Sequence, residues 1–330
     1  MEEKKLFCVS LGCDKNLVDT EKMLRLIRDM GISFTDDQGE ADIILINTCC
    51  FIGDAKEESV NTILEMAEEK KEGRCRALIV TGCLAQRYKE EILEEIPEVD
   101  AILGTTSWEE IGTVIRGICG GQESHVSCFH DLKELPASEG RIVTTGGYYA
   151  FLKIAEGCDK RCTYCIIPYL RGPYRSVPME DLLAEARELA RGGVRELILV
   201  AQETTLYGVD LYGEKSLPRL LKELAKIPEI RWIRIQYCYP EEITDELIAV
   251  IKEEEKVCHY LDIPIQHASD RILRRMGRRT TRREITERIR RLREEIPDIA
   301  LRTTLISGFP GETEEDHEEL LDFVDEMEFD

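Results

Sequence analysis

Long apolar runs are missing from this 330-residue chain. No stretch approaches the roughly 18 residues that a membrane-spanning helix needs. The opening Met1-Glu2-Glu3-Lys4-Lys5 is followed only by a short, strand-like apolar segment, too brief for a signal peptide. A soluble, cytoplasmic chain with no membrane partner is therefore expected. Histidine is scarce: His125, His130, His259, His267 and His317 form no pair at helical metal-ligand spacing, which gives a zinc hydrolase no support. The phosphate-binding pattern G-x-x-x-x-G-K-[ST] is absent, and Gly308-Phe309-Pro310-Gly311-Glu312 lacks the lysine a nucleotide loop requires. Positive charge is in deficit as well. Sixty-six acidic side chains against 44 basic ones leave a formal charge of -22, and such a surface repels polyanions unless a local patch overrides it. One patch exists, with eleven arginines between Arg271 and Arg293, and it reads first as a solvated helix face balanced by neighbouring glutamates.

Cysteine is not scarce. The thirteen present fall well short of the roughly 8–10% of a disulfide scaffold, and an odd number leaves one unpaired. Without an export signal the thiols read first as metal or cluster ligands and second as small buried residues.

An apolar content of 43% is ample for two cores, and 330 residues suggest two domains at about 150 each. Apolar β-type runs alternate with amphipathic helical stretches throughout, the pattern of α/β architecture with parallel sheets. Strands are expected at Leu6–Ser10, Ile43–Asn47, Ala77–Thr81 and Ala101–Leu103, with a helix near Asn61–Lys70. Residues 1–120 thus form a small doubly wound domain. The polar, Gly-rich stretch 121–147 reads as a linker. In 148–330, strands at Tyr149–Ala155, Glu196–Ala201, Trp232–Gln236, Tyr260–Pro264 and Ala300–Ile306 alternate with helices near Met179–Arg191, Pro218–Ala225, Asp245–Lys252, Arg282–Glu294 and Glu314–Met327. This is a partial (β/α) barrel, expected to be truncated where a sixth strand would begin after Glu328-Phe329-Asp330.

The sharpest local signal is Cys158-Asp159-Lys160-Arg161-Cys162-Thr163-Tyr164-Cys165, a C-x-x-x-C-x-x-C run in the loop after the first barrel strand. Three thiolates on a four-iron cubane leave one iron open, as a catalytic cluster requires, whereas structural zinc would need a fourth ligand. The C-terminal mouth of a barrel is also where such folds place chemistry. Cys13, Cys49 and Cys83 each follow an expected strand of the first domain. In an open parallel sheet such positions converge on one edge, which makes a second three-thiolate site. Cys8, Cys75, Cys119, Cys128, Cys238 and Cys258 lack partner spacing and read as packing; Cys50, adjacent to Cys49, stays ambiguous. Gln202-Glu203-Thr204-Thr205, Gln266-His267 and Gly308 also follow barrel strands, making Gln202, Glu203, Gln266 and Gly308 candidates for cofactor or substrate contact.

Cys158, Cys162 and Cys165 in this setting resemble the radical S-adenosylmethionine (SAM) superfamily. With Cys13, Cys49 and Cys83 ahead of that domain, the chain resembles the methylthiotransferases within it. The stretches Ser10-Leu11-Gly12-Cys13-Asp14-Lys15-Asn16 and Ile154-Ala155-Glu156-Gly157-Cys158 resemble the branch that modifies an aspartate of ribosomal protein S12 more than the branch acting on tRNA adenosine. Asp14 stands where the family usually has proline, and Cys50 where it usually has glycine. The resemblance implies two 4Fe-4S clusters and two SAM molecules. SAM cleavage at the Cys158/Cys162/Cys165 cluster would yield a radical that activates the aspartate β-carbon, and sulfur held at the Cys13/Cys49/Cys83 cluster would be inserted. Tyr164 and Ile166-Ile167-Pro168 are expected to shield the first of these. The resemblance further implies an electron donor, a sulfur donor, and a C-terminal TRAM domain that this sequence does not contain. The acidic charge favours a basic protein target and makes tRNA less apt. A tRNA methylthiotransferase and a non-catalytic iron-sulfur electron carrier are the alternatives.

Overall fold

A computed structural model describes residues 4–121, 125–136 and 140–330. Met1, Glu2 and Glu3, and the Gln122-Glu123-Ser124 and Ala137-Ser138-Glu139 parts of the expected linker, lie outside them. The chain forms two compact units, one of residues 1–144 and 166–173, the other of residues 145–165 and 174–330.

The first unit carries strands β1 (Lys5–Ser10), β2 (Ser33–Phe34), β3 (Ile43–Thr48), β4 (Ala77–Gly82), β5 (Ala101–Leu103) and β6 (Val126–Cys128). Its helices are α1 (Asp14–Asp29), α2 (Gly53–Glu72), α3 (Cys83–Tyr88), α4 (Glu90–Glu95), α5 (Ile111–Cys119) and α6 (Ile167–Arg171). The six strands form one parallel sheet in the order β2-β1-β3-β4-β5-β6. Strands covered on both faces need side chains that are apolar in both directions. Ile43, Leu45 and Ile79 accordingly enter one core with Met23, Ile27 and Trp108, while Ile44, Ile46 and Val80 enter the other with Ile63 and Met66. Strand order reverses between β1 and β3, so the crevice for a ligand opens beyond their carboxyl ends.

The stretch 121–147 is not simply a linker. Val126–Cys128 adds β6 to the sheet edge beside β5, and Ile142 N–H donates to Glu21 O at 3.1 Å. Three residues are too few for a recognisable strand pattern, which is why this edge escaped the sequence.

In the second unit the strands are β7 (Tyr149–Lys153), β8 (Ala155–Glu156), β9 (Arg175–Ser176), β10 (Glu196–Val200), β11 (Trp232–Ile235), β12 (Val257–Asp262) and β13 (Ala300–Arg302). The helices are α7 (Met179–Arg191), α8 (Val209–Tyr212), α9 (Leu217–Ala225), α10 (Asp245–Glu253), α11 (Asp270–Arg275), α12 (Arg282–Glu295) and α13 (Glu314–Met327). Its main sheet is parallel, in the order β13-β12-β11-β10-β7, and β8 and β9 make a separate antiparallel pair. Three expected strands differ. The one expected over Tyr149–Ala155 is divided between β7 and β8. Pro264 has no N–H for a ladder, and the strand expected over Tyr260–Pro264 runs instead from Val257 to Asp262. The strand expected to reach Ile306 stops at Arg302, beyond which only a Gln266–Leu305 bridge continues the pairing. Among the described residues no helix is long and apolar enough to cross a membrane.

Candidate functional site

In the first unit, the loops after β1, β3 and β4 carry the three predicted cysteines to the switch-point edge. Cys13 is the exposed N-cap residue of α1, Cys49 follows β3, and Cys83 opens α3. Gly12 permits the approach: at φ +88° it lies so close to the β3 loop that a Cβ there would stand 2.9 Å from Cys49 Sγ. Burial pushes the Cys49 thiol up, and the nearby Cys13 adds to that. Burial is the largest influence on Cys83, raising it to about 12, with Arg171 pulling the other way. A bound cation or cluster would reverse that penalty by stabilising the thiolates.

Asn16, which sequence reasoning missed, holds these loops together. It is fully buried, and its Nδ2 donates to Leu11 O at 3.0 Å and Thr48 O at 2.9 Å, beside two of the cysteine loops. The spacing Cys13-x-x-Asn16, which sets a polar side chain three residues into a helix capped by a cysteine, is the signal that could have found it. Cys50 is buried with its Sγ directed to Cys83 O at 3.3 Å. Asp14 begins α1 and pairs with Lys15 at 2.8 Å.

In the second unit, Cys158, Cys162 and Cys165 follow the β7–β8 segment. Left-handed backbone at Gly157 (φ +79°) and Arg161 (φ +54°) turns the loop back on itself. It is pinned by Thr163 N–H to Met276 O at 2.9 Å and Thr163 Oγ1 to Arg275 O at 3.0 Å. Burial drives Cys158 up to about 12, with further upward pressure from Glu203, Cys165 and Cys162. Tyr239 lies between two cations, Lys160 Nζ 4.9 Å and the Arg278 guanidinium 4.1 Å from its ring, and its hydroxyl stands 3.6 Å from Cys162 Sγ. Tyr164 packs edge-on against Phe309 at 6.5 Å. The segment expected to shield this loop divides, because Ile166 packs against the first unit's core instead.

Gln202 and Glu203 follow β10. Gln202 Nε2 donates to Glu156 Oε1 at 2.7 Å, leaving its buried Oε1 with no protein hydrogen bond. Glu203 is fully buried, accepts at Oε1 from Thr205 N–H at 3.0 Å, and has no protein partner for Oε2. Burial raises its pKa to about 7, against lowering by Thr205 and Lys160. Two orphaned polar oxygens following one strand suit a polar ligand. Gln266 is half-buried with φ +74° and is held by backbone pairing to Thr304 and Ile306. Gly308 has φ +75° and open space where a Cβ would be, so its turn needs glycine but no neighbour presses on it.

Among the described residues no three His, Cys, Asp or Glu side chains are close enough to grip one metal ion. A polynuclear cluster asks for something looser, since each thiolate binds a different iron. Three cysteines on neighbouring loops of the first unit, and three more within one loop of the second, fit that donor set.

The parallel β/α unit with three cysteines in the loop after its first strand defines a radical SAM protein. The Radical SAM superfamily model matches residues 152–324, and the model for the uncharacterized protein family UPF0004 matches 5–104. The chain is 68% identical over 98% of its length to "Ribosomal protein uS12 methylthiotransferase RimO" of Lachnoclostridium phytofermentans, covering 74% of that protein. It is 54% identical over 99% of its length to the RimO of Acetivibrio thermocellus, again covering 74%. The chain belongs to this family of methylthiotransferases. A solved structure of the radical SAM methyltransferase TsrM from Kitasatospora setae has the same fold, with TM-score 0.70 at 12% identity over 99% of this chain and 72% of that one.

Proposed function

We propose that the chain attaches a methylthio group to the β-carbon of an aspartate in ribosomal protein uS12, in the cytoplasm, using two 4Fe-4S clusters and SAM. Cys158, Cys162 and Cys165 would hold one cluster, and Cys13, Cys49 and Cys83 the other. The observation that carries this is the duplication: two independent sets of three thiols, each at the carboxyl ends of parallel strands. An electron carrier needs only one such set and no orphaned polar oxygens beside it. The cluster that Cys158, Cys162 and Cys165 would hold would supply the electron for reductive cleavage of SAM. Around it the protein does the rest. Lys160 and Arg278 place positive charge near Cys162, Tyr164 with Phe309 limits water, and Gln202 and Glu203 offer polar oxygens to SAM. Gln266 and Gly308 are assigned to the same cofactor pocket.

A tRNA substrate is less well supported because the arginine run is engaged within the protein. Arg290 and Arg282 pair with Glu326 at 2.8 and 3.2 Å, Arg291 pairs with Glu295 at 2.9 Å, and Arg293 donates to Glu328 O at 2.7 Å. An electron donor and a sulfur donor are required by the chemistry. The deciding experiment is iron, sulfide and Mössbauer analysis of anaerobically reconstituted protein. About eight irons per chain should fall to about four when Cys13, Cys49 and Cys83 are replaced by alanine. Four in both proteins would overturn the reading.

A further inference from the structure

The first unit contains a buried cation that no sequence motif announces. Arg171 closes α6, and its chain segment belongs to the first unit although it begins one residue after Cys165. Only 2% of Arg171 is exposed. Its Nη1 lies 2.8 Å from Asp19 Oδ2, and its Nη2 donates to Asn16 Oδ1. Both partners are on α1, the helix capped by Cys13. Asn16 Oδ1 is in turn 3.9 Å from Cys83 Sγ, and its Nδ2 holds the backbone of Leu11 and Thr48. The guanidinium therefore sits within one shared residue of all three cysteine loops. A buried ion pair is poor evidence of stability, because desolvation offsets most of the attraction. A salt bridge kept for packing alone would also have no need of the link through Asn16.

We propose that Arg171 is a positioning residue that sets the charge environment, and through it the reduction potential, of the iron-sulfur group held by Cys13, Cys49 and Cys83. This rests on the assignment of a cluster to those cysteines. Reduction adds an electron, so a nearby positive charge favours the reduced state and Asp19 opposes it. Removing either charge should move the potential in opposite directions, which loss of packing would not do.

The test uses the full chain with Cys158, Cys162 and Cys165 changed to alanine, reconstituted anaerobically and titrated by EPR, so that only the first-unit cluster reports. Arg171→Met should shift the midpoint potential downward, and Asp19→Asn should shift it upward. Thr105→Val removes the 2.6 Å anchor from Thr105 Oγ1 to Leu170 O without touching charge, and should leave the potential in place. Should Arg171→Met fail to fold, Asp19→Asn still decides: an upward shift supports the proposal and an unmoved potential overturns it. Shifts of the same sign in both charge variants, or a shift with Thr105→Val as large as with Arg171→Met, would also overturn it. No iron bound in the background protein would instead sink the cluster assignment itself.

Discussion

Gly82 shows how much of the packing around the first unit's cysteine loops rests on one missing methyl group. Its φ of +92° is a conformation that L side chains rarely adopt, and a Cβ there would lie 2.2 Å from Asn47 Oδ1 and 2.6 Å from Thr48 O. A strained backbone of this kind costs on the order of 1–3 kcal/mol, and the overlap with β3 adds to it. Gly82→Ala should therefore lower stability by at least about 2 kcal/mol and push Cys83 away from its partners. Urea melts and an iron assay check both effects; an unchanged urea midpoint with a full iron complement would show that the close approach does not matter. At this scale the placement of Cys13, Cys49 and Cys83 just beyond their strands was legible because spacing and strand ends leave a mark in sequence. Arg171 left none, since its partners Asn16 and Asp19 are some 150 positions away and an isolated arginine near the end of a short helix has no pattern.

At the scale of elements, α1 is held by two buried arginines rather than one. Beyond the Arg171 contacts, Glu21 is almost wholly buried and pairs with Arg141 Nη1 at 3.0 Å, while Thr144 donates to Glu21 Oε1 from its amide at 2.7 Å and its hydroxyl at 2.9 Å. Removing one partner of a buried pair leaves an uncompensated charge and typically costs about 3–5 kcal/mol. Arg141→Met should fall at the lower end of that range, because Thr144 still donates to the carboxylate. Hydrogen exchange provides the check: protection of the Ile142 and Thr144 amides should drop well before that of the β3 and β4 amides. Equal loss across the unit would mean that the latch is not a local element. The central strands of both units and the long helices of the second were readable, two of those helices to the residue, Met179–Arg191 and Glu314–Met327, because apolar periodicity is local; of the first unit's long helices only Asn61–Lys70 within α2 was expected. Among those that escaped were α1, edge strands of two or three residues, several short helices and α6, whose place in the first unit follows from tertiary packing that sequence order conceals.

At the scale of the whole molecule, a formal charge of -22 sets the terms of encounter with any charged partner. The arginine run does not alter this, because much of its charge is balanced by glutamates and carbonyls of the same unit. For a cationic ribosomal protein the field accelerates approach; for tRNA it opposes approach. Such steering is long-ranged and is screened when the Debye length falls from about 14 Å at 50 mM salt to about 4 Å at 500 mM. Association with the ribosomal protein should therefore slow roughly tenfold over that range, while dissociation, governed by close contacts, changes little. Stopped-flow mixing of the reconstituted chain with fluorescently labelled uS12 at several salt concentrations measures both rates. An association rate indifferent to salt would remove charge from the account of substrate choice. Tight, strongly salt-dependent binding of tRNA would go further and favour the nucleic-acid branch of the same chemistry, since it would require a cationic face that the paired arginines do not supply.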